Sequence, residues 1–455
     1  MLKITIPEGN LPEKEYIIRT MLVDFLGIEI KTVTDPERFF YTIELPNKKK
    51  IRIREQFFSG FWNDTDYLDK SAIPDKVIVV DNPFRTNEQL NLVFGADFFD
   101  KSPESTEADI DCGYDIFASA FFMLSRWEEN VITEKDEHGR FPDKLSFVVK
   151  NDIYKTPIVN TYVEFLWDLL LEAGYNGERK ARTFESHITH DVDFFQKFDD
   201  FNRFLRISAG NLLSRKSPYL FFQDVFLYLE KLFSGKDPYD TFDFLMDISE
   251  QNNLVSTFNI LPGFKGEKDV WFDIRSPEVE ELLQKIHNRN HKIGFHPSYD
   301  AFNNRLQFRE ELERLSKAKP AESKIDSGRQ HFLRFSIPYT WRIWEEAGLK
   351  KHMGVGFSSL PGFRTGVCYP YKPFDVLERR TLNIEEYSLH VMEVAVDKHA
   401  KKNDMFLRNI MDIIKRIKKY NGNFVLLWHN SNLNDFRWRK RKDIYKKIIK
   451  ASSGS

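Results

Sequence analysis

The residues of this chain best suited to chemistry are two aspartates at the end of a short apolar segment. They are Asp191 and Asp193, within the run Thr-His-Asp-Val-Asp that begins at Thr189. Ionised carboxylates are rarely buried unless they are paired or bind a metal ion. The alternative is a turn in which an aspartate side chain caps the backbone. The pair therefore predicts either a metal site or a capped turn.

Three further polar clusters follow short apolar runs and favour the metal-site interpretation. They are Gly294-Phe295-His296-Pro297-Ser298, Arg329-Gln330-His331 and Leu427-Trp428-His429-Asn430. Carboxylate, imidazole and guanidinium groups at successive strand ends are typical of a metal-dependent hydrolase, because the metal activates water while neighbouring groups move protons. We therefore expect these clusters to meet at one site.

The composition is that of a globular protein. The chain has 455 residues, of which 41% are hydrophobic and 30% charged, with a net charge of −2. This length is enough for two or three domains, and the near-neutral charge gives no basic field for nucleic acid. The sequence shows no transmembrane segment and no signal peptide, so we expect a cytoplasmic location. With only Cys112 and Cys368, a disulfide framework or a cysteine zinc site is not expected.

Residues 1–180 are predicted to form a smaller N-terminal α/β domain of unknown role. A β-branched run typical of a buried strand and two segments with helical spacing support this prediction, at residues 77–80, 115–126 and 157–173. A polar turn at 136–142 contains His138, which we interpret as an ordinary loop residue. The polar stretch 174–182 is expected to link this domain to the next.

Residues 181–455 change to strands that alternate with helices, a pattern typical of a parallel α/β fold. We predict seven strands, at residues 186–189, 256–261, 291–295, 330–335, 354–358, 388–394 and 423–428. Helices are predicted at residues 240–251, 277–289, 339–347 and 404–419. This alternation predicts a distorted seven-stranded (β/α) barrel, whose active site would lie at the C-terminal ends of the strands.

Two segments lie outside this barrel pattern. Residues 198–240 form an insertion rich in Phe, Leu and Tyr, which we interpret as ordinary helical packing, with an amphipathic lid or partner surface as the alternative. The basic run at 437–442 is interpreted as a solvated helix start. Contact with phosphate groups, for instance on a lipid or nucleotide carrier, is its alternative.

The order of the polar motifs resembles that of the NodB-type polysaccharide deacetylases, carbohydrate esterase family 4. The motifs are T-H-D-V-D, S-T-F-N-I-L, G-F-H-P-S, an arginine-bearing strand followed by I-P-Y, and L-L-W-H. The resemblance covers residues 184–455, and residues 1–180 resemble an uncharacterised domain fused to such deacetylases in polysaccharide-biosynthesis clusters. It implies a barrel that removes acetyl groups from N-acetylated sugars with one divalent metal ion. Zinc is the expected ion, with nickel, cobalt or manganese as alternatives.

The first family motif places a catalytic base before a metal ligand, so Asp191 resembles the base and Asp193 the ligand. This chain inserts Val192 between them. Because adjacent strand residues point to opposite faces and residues two apart share a face, the two roles could be exchanged. His429 resembles the histidine of the final motif, which implies that it is the general acid.

The second family motif has two metal-binding histidines four residues apart, and this chain departs from it. His296 matches the first histidine, whereas Asp300 stands at the second position. Either Asp300 is a replacement ligand or the third ligand comes from elsewhere, with His331 and His190 as the candidates. An Asp-Asp-His set favours harder ions than an Asp-His-His set, and zinc remains compatible with both.

The remaining assignments concern the arginines and the substrate. Arg329 and Arg334 compete to orient the base, and Arg334 lies nearest the family's R-x-P-Y spacing. Ser298, Arg364 and Trp428 are expected to contact substrate, although a purely structural turn is the alternative for the loop that holds Arg364. Ser298 is not expected to be a nucleophile, because the sequence offers no elbow and no partner base for it.

These residues predict a metal-dependent N-deacetylase in surface-polysaccharide biosynthesis, with a carbohydrate as its partner. A metal held by Asp193 and His296 would activate water, Asp191 would take the proton of that water, and His429 would protonate the departing nitrogen. A non-catalytic carbohydrate-binding or scaffold protein is one alternative, because the second motif histidine is missing. Hydrolysis of another amide or ester, such as an O-acetyl group, is a second alternative.

Overall fold

Residues 1–175 form a mixed sheet with helices packed against it in the computed structural model, which describes residues 1–36, 39–101, 108–263, 266, 268–269 and 272–454. The elements in chain order are β1 (Leu2–Pro7), α1 (Leu11–Arg19), β2 (Ile30–Asp35), β3 (Phe40–Glu44), β4 (Lys50–Arg54), β5 (Ile78–Asp81), β6 (Gln89–Leu92), β7 (Phe99–Asp100), β8 (Ile110–Cys112), α2 (Ile116–Ser125), α3 (Glu128–Val131), α4 (Phe147–Lys150) and α5 (Ile158–Glu172). The six-stranded sheet has the order β2-β1-β3-β4-β8-β7, and β5 pairs with β6 as a separate hairpin. The predicted strand and both predicted helices of this half are confirmed as β5, α2 and α5.

Helix α2 lies at the centre of this half. It begins where the Asp115 carboxylate accepts a hydrogen bond from the backbone N–H of Ala118, at 3.0 Å. All ten of its residues are buried. A helix that is apolar on every side is stable only when it is covered on every side, so both the sheet and the second half of the chain pack on α2.

The second half is built on an eight-stranded sheet in which every pairing is parallel. Its elements are β9 (Glu185–Val192), α6 (Phe201–Leu213), α7 (Pro218–Ser234), α8 (Phe242–Glu250), β10 (Ser256–Ile260), α9 (Pro277–Asn288), β11 (Lys292–Phe295), α10 (Arg305–Ala318), β12 (Ser327–Gly328), α11 (Tyr339–Glu346), β13 (Lys351–His352), β14 (Phe374–Asp375), β15 (Arg380–Thr381), β16 (Glu385–Glu386), β17 (Val391–Met392), α12 (Glu393–His399), α13 (Asn403–Lys419), β18 (Asn423–Leu427) and α14 (Lys442–Ser452). The strand order is β16-β13-β12-β11-β10-β9-β18-β17, and the sheet curls into a half-barrel.

This sheet has eight strands where seven were predicted. The predicted strands at 330–335 and 354–358 are irregular backbone, and the strands nearest to them are the two-residue β12 and β13. At the first of these segments the chain turns sharply, because Phe332 and Leu333 both have positive φ angles, of 58° and 52°. The alternation of apolar side chains there resembles a strand, but such φ angles are incompatible with one.

The four predicted helices of this half are confirmed as α8, α9, α11 and α13. In α13 the five apolar residues on one face are all buried, as the helical spacing predicted: Phe406, Ile410, Ile413, Ile414 and Ile417. Within the described part of the chain, no helix is both long enough and apolar enough to cross a membrane.

The two halves share one hydrophobic core, which includes residues of both sheets. Backbone hydrogen bonds also cross between them, from Phe363 N–H to the Tyr154 carbonyl at 2.7 Å and from Val159 N–H to the Gly366 carbonyl at 2.8 Å. A buried ion pair joins the Arg364 guanidinium to the Glu129 carboxylate at 2.6 Å. Residues 1–180 therefore pack closely on the half-barrel.

Replacing Arg364 with Ala should destabilise the protein strongly. The change leaves the buried Glu129 carboxylate with Arg126 as its remaining cationic partner, at 2.9 Å. Removing one member of a buried ion pair costs about 3–5 kcal/mol in the free energy of unfolding. The control is Arg305→Ala, which breaks an exposed pair with Glu346 and should cost about 1 kcal/mol or less. Urea denaturation of both variants measures the difference, and equal losses would contradict the prediction.

Candidate metal and catalytic site

The residues predicted to do chemistry converge at the C-terminal edge of the parallel sheet. Asp191 lies at the end of β9 and Asp193 directly follows that strand, while His296 follows β11 and His429 comes shortly after β18. His331 comes from the turn after β12. Because all eight strands run in the same direction, their carboxyl ends meet at one edge. The polar clusters singled out in the sequence therefore lie close together in the structure.

Asp193, His296 and His331 bring three potential metal-ligand atoms within 4.8 Å of one another. The Asp193 carboxylate lies 3.1 Å from Nε2 of His296 and 3.5 Å from Nε2 of His331. Both histidines are buried and Asp193 is partly buried. One carboxylate and two imidazoles form a ligand set of the kind that catalytic zinc sites use.

Hydrogen bonds fix the tautomers of both histidines in the form that a metal ligand requires. Nδ1 of His296 lies 2.6 Å from the carbonyl oxygen of Arg329, and because a carbonyl only accepts, this nitrogen carries the proton. Nδ1 of His331 lies 2.7 Å from the carboxylate of Asp269. Each Nε2 is therefore the ring nitrogen that faces the cluster, and in the neutral ring it would be the one available to bind a metal.

Asp191 lies beside this cluster and is held by two donors. The Arg329 guanidinium binds its carboxylate at 2.8 Å, and the side-chain amide of Asn259 donates to the same oxygen at 2.7 Å. The other carboxylate oxygen lies 3.9 Å from Nε2 of His296. Asp191 is thus oriented by neighbours outside the ligand set, whereas Asp193 belongs to the set.

The pKa values of the two aspartates lie below their ordinary range. Burial raises the pKa of Asp191, but the charges of Arg329, His296 and His429 outweigh burial and lower it. Burial likewise raises the pKa of Asp193, and interactions with the surrounding histidines lower it further still. Both carboxylates are therefore ionised near neutral pH, as a base and a metal ligand must be.

His429 closes the opposite side of the site. Its Nδ1 donates to the Glu393 carboxylate at 2.6 Å, and its Nε2 lies 3.7 Å from the Asp193 carboxylate. Burial lowers the pKa of His429, but the adjacent Glu393 charge outweighs burial and raises that pKa to about 10. The imidazolium is therefore protonated at neutral pH, and its Nε2–H points toward the cluster.

A cleft of about 260 Å³ opens over these residues and is partly walled by the first half of the chain. Glu137, His138 and Arg140 line it together with Ser358 and Lys398. We call residues 136–140 the rim turn. The Arg140 guanidinium fastens this turn to the carbonyl of Phe332 at 2.8 Å.

His138, interpreted from the sequence as an ordinary loop residue, thus lines the cleft. Its Nδ1 lies 3.2 Å from the Tyr299 hydroxyl. The rim turn therefore contacts the half-barrel on the side where His331 and Phe332 lie.

The structure separates the two competing arginines and removes one candidate ligand. Arg329 reaches Asp191, whereas Arg334 binds the Asp300 carboxylate at 2.8 Å and stacks on the ring of Tyr299. The Asp300 side chain is 74% exposed and its partner is Arg334, so it does not join the ligand cluster. The position that the family's second histidine would occupy therefore forms a surface ion pair.

His190, the other candidate third ligand, faces away from the cluster. Its Nδ1 donates to the Trp428 carbonyl at 2.8 Å and its Nε2 lies 3.2 Å from the Ser256 hydroxyl. Burial lowers the pKa of His190 to about 4, so it is a neutral core histidine. This outcome follows from strand alternation, because His190 and Asp191 point to opposite faces of β9.

The three residues expected to contact substrate are buried elsewhere, which corrects that expectation. The Ser298 side chain donates to Glu311, and Arg364 pairs with Glu129 between the two halves. The Trp428 indole is fully buried and donates to the Asn432 carbonyl at 2.9 Å. Each has the contacts of a structural residue, and none lines the cleft.

Sequence reasoning missed three residues that hold the site, namely Asn259, Asp269 and Glu393. Asn259 lies in the S-T-F-N-I-L run that supported the family resemblance, so its position in a buried strand was a usable signal. Asp269 and Glu393 have no local motif. They act on histidines that are distant in sequence, and only the folded chain brings them together.

Substituting His331 should remove the metal site, whereas substituting Asp300 should preserve it. The His331→Ala variant loses one of three ligands, and Asp269→Asn, which loosens the ring of His331, should weaken zinc binding by about 10–100-fold. Asp300→Ala is the matched control. Zinc affinity, measured by competition with a chromophoric chelator, is the readout. Zinc binding retained in His331→Ala but lost in Asp300→Ala would overturn this ligand set.

Comparisons with known proteins give a match to a family of unknown function and a distant likeness to solved structures. Residues 2–175 match the model of a family of unknown function, DUF7033. A solved structure titled "Crystal structure of putative polysaccharide deacetylase from Mycobacterium smegmatis" is 12% identical, covers 59% of this chain and 85% of its own, and has a TM-score of 0.38. No curated protein sequence matches the chain. The activity is therefore inferred from the residues of the site itself.

Proposed function

We propose that the protein is a metal-dependent deacetylase that removes the acetyl group from an N-acetylated sugar during surface-polysaccharide biosynthesis. The observation that carries this proposal is the cluster of Asp193, His296 and His331 between an arginine-held carboxylate, Asp191, and a protonated imidazole, His429. A ligand set, a base and an acid around one cleft are the components that amide hydrolysis requires.

The donor set fits a divalent ion, and zinc suits it best. Asp193 would supply a carboxylate oxygen, while His296 and His331 would each supply Nε2, because their Nδ1 atoms are already engaged. Three protein ligands leave a further coordination position open, which distinguishes catalytic zinc sites from structural ones. When bound, the ion would polarise the acetyl carbonyl and lower the pKa of water.

Asp191 would act as the base. Its carboxylate is ionised and fixed by Arg329 and Asn259, with its second oxygen directed to the His296 side of the cleft. It would accept a proton as the water oxygen bonds to the acetyl carbon. A charged base that is already oriented avoids reorganisation at the moment of reaction.

His429 would act as the acid. As the carbon–nitrogen bond breaks, its Nε2–H would pass a proton to the departing nitrogen, which yields acetate and the free amino sugar. Glu393 holds the ring in place through Nδ1 and stabilises the imidazolium before the transfer. The acetic acid formed would then give its proton to the amine, and the proton on Asp191 would return to His429, which restores both groups.

The rim turn would contribute to substrate binding. The cleft of about 260 Å³ is slightly smaller than ordinary ligand pockets, which run from about 300 to 1,000 Å³, so one sugar unit fits it better than a longer glycan. Glu137 and Lys398 place opposite charges on its rim. Neighbouring sugar units would pass over these residues.

The non-catalytic alternative was motivated by the missing second motif histidine. His331 would supply a third ligand in place of that histidine, and its position beside Asp193 and His296 supports the catalytic interpretation over the alternative. Hydrolysis of an O-acetyl group would use the same base and metal but would depend less on an acid, since an alkoxide leaves more readily than an amide nitrogen. A histidine placed to donate a proton, His429, therefore favours the N-acetyl substrate, whose nitrogen must be protonated in order to leave.

The zinc-loaded protein should release acetate from an N-acetylated sugar or oligosaccharide, and Asp191→Asn should abolish most of this activity. Loss of the base should lower kcat by about a thousandfold or more. Acetate release is measured on a panel of N-acetylated and O-acetylated glycans. Asp300→Asn, the same change at a surface carboxylate, should retain full activity. Failure of the zinc-loaded wild type on every N-acetylated glycan would refute the proposal.

Glu137→Ala should raise KM for an oligosaccharide substrate several-fold while leaving kcat nearly unchanged. The rim turn is expected to bind substrate and transition state equally, and loss of such uniform binding appears in KM alone. Glu134→Ala, at an exposed position of the same half, is the matched control. A KM equal to that of the wild type for every glycan in the panel would show that the rim turn makes no substrate contact.

A further inference from the structure

The chain leaves a long apolar stripe uncovered on one helix. We call residues 201–236, which contain α6 and α7, the helical hairpin. On α7 the stripe consists of residues spaced alternately by three and four, namely Tyr219, Phe222, Phe226, Leu229 and Phe233. This spacing places all five on one face. All are solvent-exposed, and Phe233 is 90% exposed.

The opposite face of α7, which packs on the protein, is part polar and part apolar, with Leu227 buried against Phe198 and Phe204. The buried Asp224 carboxylate binds the Lys197 ammonium at 2.8 Å and the Asn211 amide at 2.5 Å. Gln223 is also buried, and Lys231 pairs with Asp237 at 3.2 Å. Helix α7 therefore carries apolar side chains on two faces, and only one of these faces is covered. Its buried ion pairs hold the apolar stripe outward.

The exposed apolar side chains of the protein are concentrated in the helical hairpin. Ten of the 21 large apolar side chains exposed among the described residues belong to the hairpin, which is a small fraction of the chain. Helix α6 contributes Phe201, Leu205, Leu212 and Leu213. Single exposed apolar residues need no explanation, but a contiguous patch of this kind marks a binding surface.

The hairpin itself has more basic than acidic residues, although four aspartates flank its two ends: Asp199, Asp200, Asp237 and Asp240. Residues 201–236 contain six basic residues against two acidic ones, Asp224 and Glu230. Both acids already form ion pairs, with Lys197 and Arg439. The exposed cations lie at the turn between the helices, on α6 and after α7: Arg206, Arg215, Lys216 and Lys236.

A groove of about 750 Å³ is lined by both apolar and charged side chains. Phe226 and Phe233 form apolar parts of its lining, and three cations and three acids form charged parts: Lys236, Arg439, Lys442, Glu230, Asp237 and Asp240. The lysines beside these apolar side chains suit a molecule that has both acyl chains and a phosphate group. The groove thus joins the apolar stripe to the basic run at 437–442.

We propose that the helical hairpin binds peripherally to a bilayer that contains anionic phospholipid. The apolar stripe would enter the interface of the bilayer, and the flanking cations would contact lipid phosphates, as in helices that lie in the membrane plane. A second copy of this chain is a poorer occupant, because a two-fold interface would bring the same cations together. The proposal does not depend on the deacetylase activity.

The base of the hairpin is tied to the catalytic edge of the half-barrel. The Asn430 amide, next to His429, donates to the carbonyls of Phe194 and Tyr239 on either side of the hairpin, at 2.9 and 3.0 Å. A bilayer bound by the hairpin would therefore lie at a fixed position relative to the cleft. Substrates attached to a lipid would then reach the site from a defined side.

The test is co-sedimentation of the full chain with vesicles. The protein should bind vesicles of equimolar phosphatidylcholine and phosphatidylglycerol, with affinity reduced by salt, and bind pure phosphatidylcholine weakly. Phe222→Ser/Phe233→Ser, at two exposed stripe positions, should reduce binding by about tenfold or more. Arg206→Glu/Lys236→Glu should weaken binding to the anionic vesicles only.

Trp62→Ser/Leu306→Ser is the matched control, because it removes two equally exposed apolar side chains elsewhere. It should bind vesicles like the wild type. The proposal is overturned if the wild type does not bind anionic vesicles, or if the stripe variant binds as well as the wild type. Sedimentation equilibrium adds a third test, since a dimer that the stripe variant dissociates would identify a second copy as the occupant.

Discussion

The buried guanidinium of Arg329 is the interaction on which the catalytic edge depends. It binds the Asp191 carboxylate and the Thr189 hydroxyl of β9 at 2.8 and 3.0 Å, and its Nε donates to the Met353 carbonyl at 2.8 Å. Its own backbone carbonyl fixes the tautomer of His296. A buried cation is tolerated only when its donors are satisfied, so the positions of Asp191, His296 and β9 are coupled to this one residue.

The order of the strand ends could be predicted from the sequence, because hydrophobic runs followed by polar residues are a local signal. Asp191, Asp193, His296 and His429 were found in this way. The choice of His331 over Asp300 could not be made, since it depends on the path of the backbone after β12. There the positive φ angles of consecutive apolar residues turn the chain into the site. Two-residue strands carry no periodicity, which is why the strand count was one short.

The same limit applies to the groups that surround the ligands. Asp269 and Glu393 are ordinary acids in the sequence, and the role of each is set by a histidine far along the chain. The rim turn also lines the cleft, although the sequence predicts no site residue in that segment. Local patterns thus predicted the fold class and half of the site, while the contacts between distant segments decided the rest.

The shared core of the two halves has a consequence for how such a protein evolves. Each half carries one partner of a buried charge pair, Glu129 in the first and Arg364 in the second, and backbone hydrogen bonds cross between them. A half-barrel separated from the first half of the chain would expose apolar surface and leave a buried charge without its partner. The loss in free energy of unfolding would exceed the stability of an ordinary domain. We therefore expect the two halves to be inherited together, with compensating substitutions across their boundary.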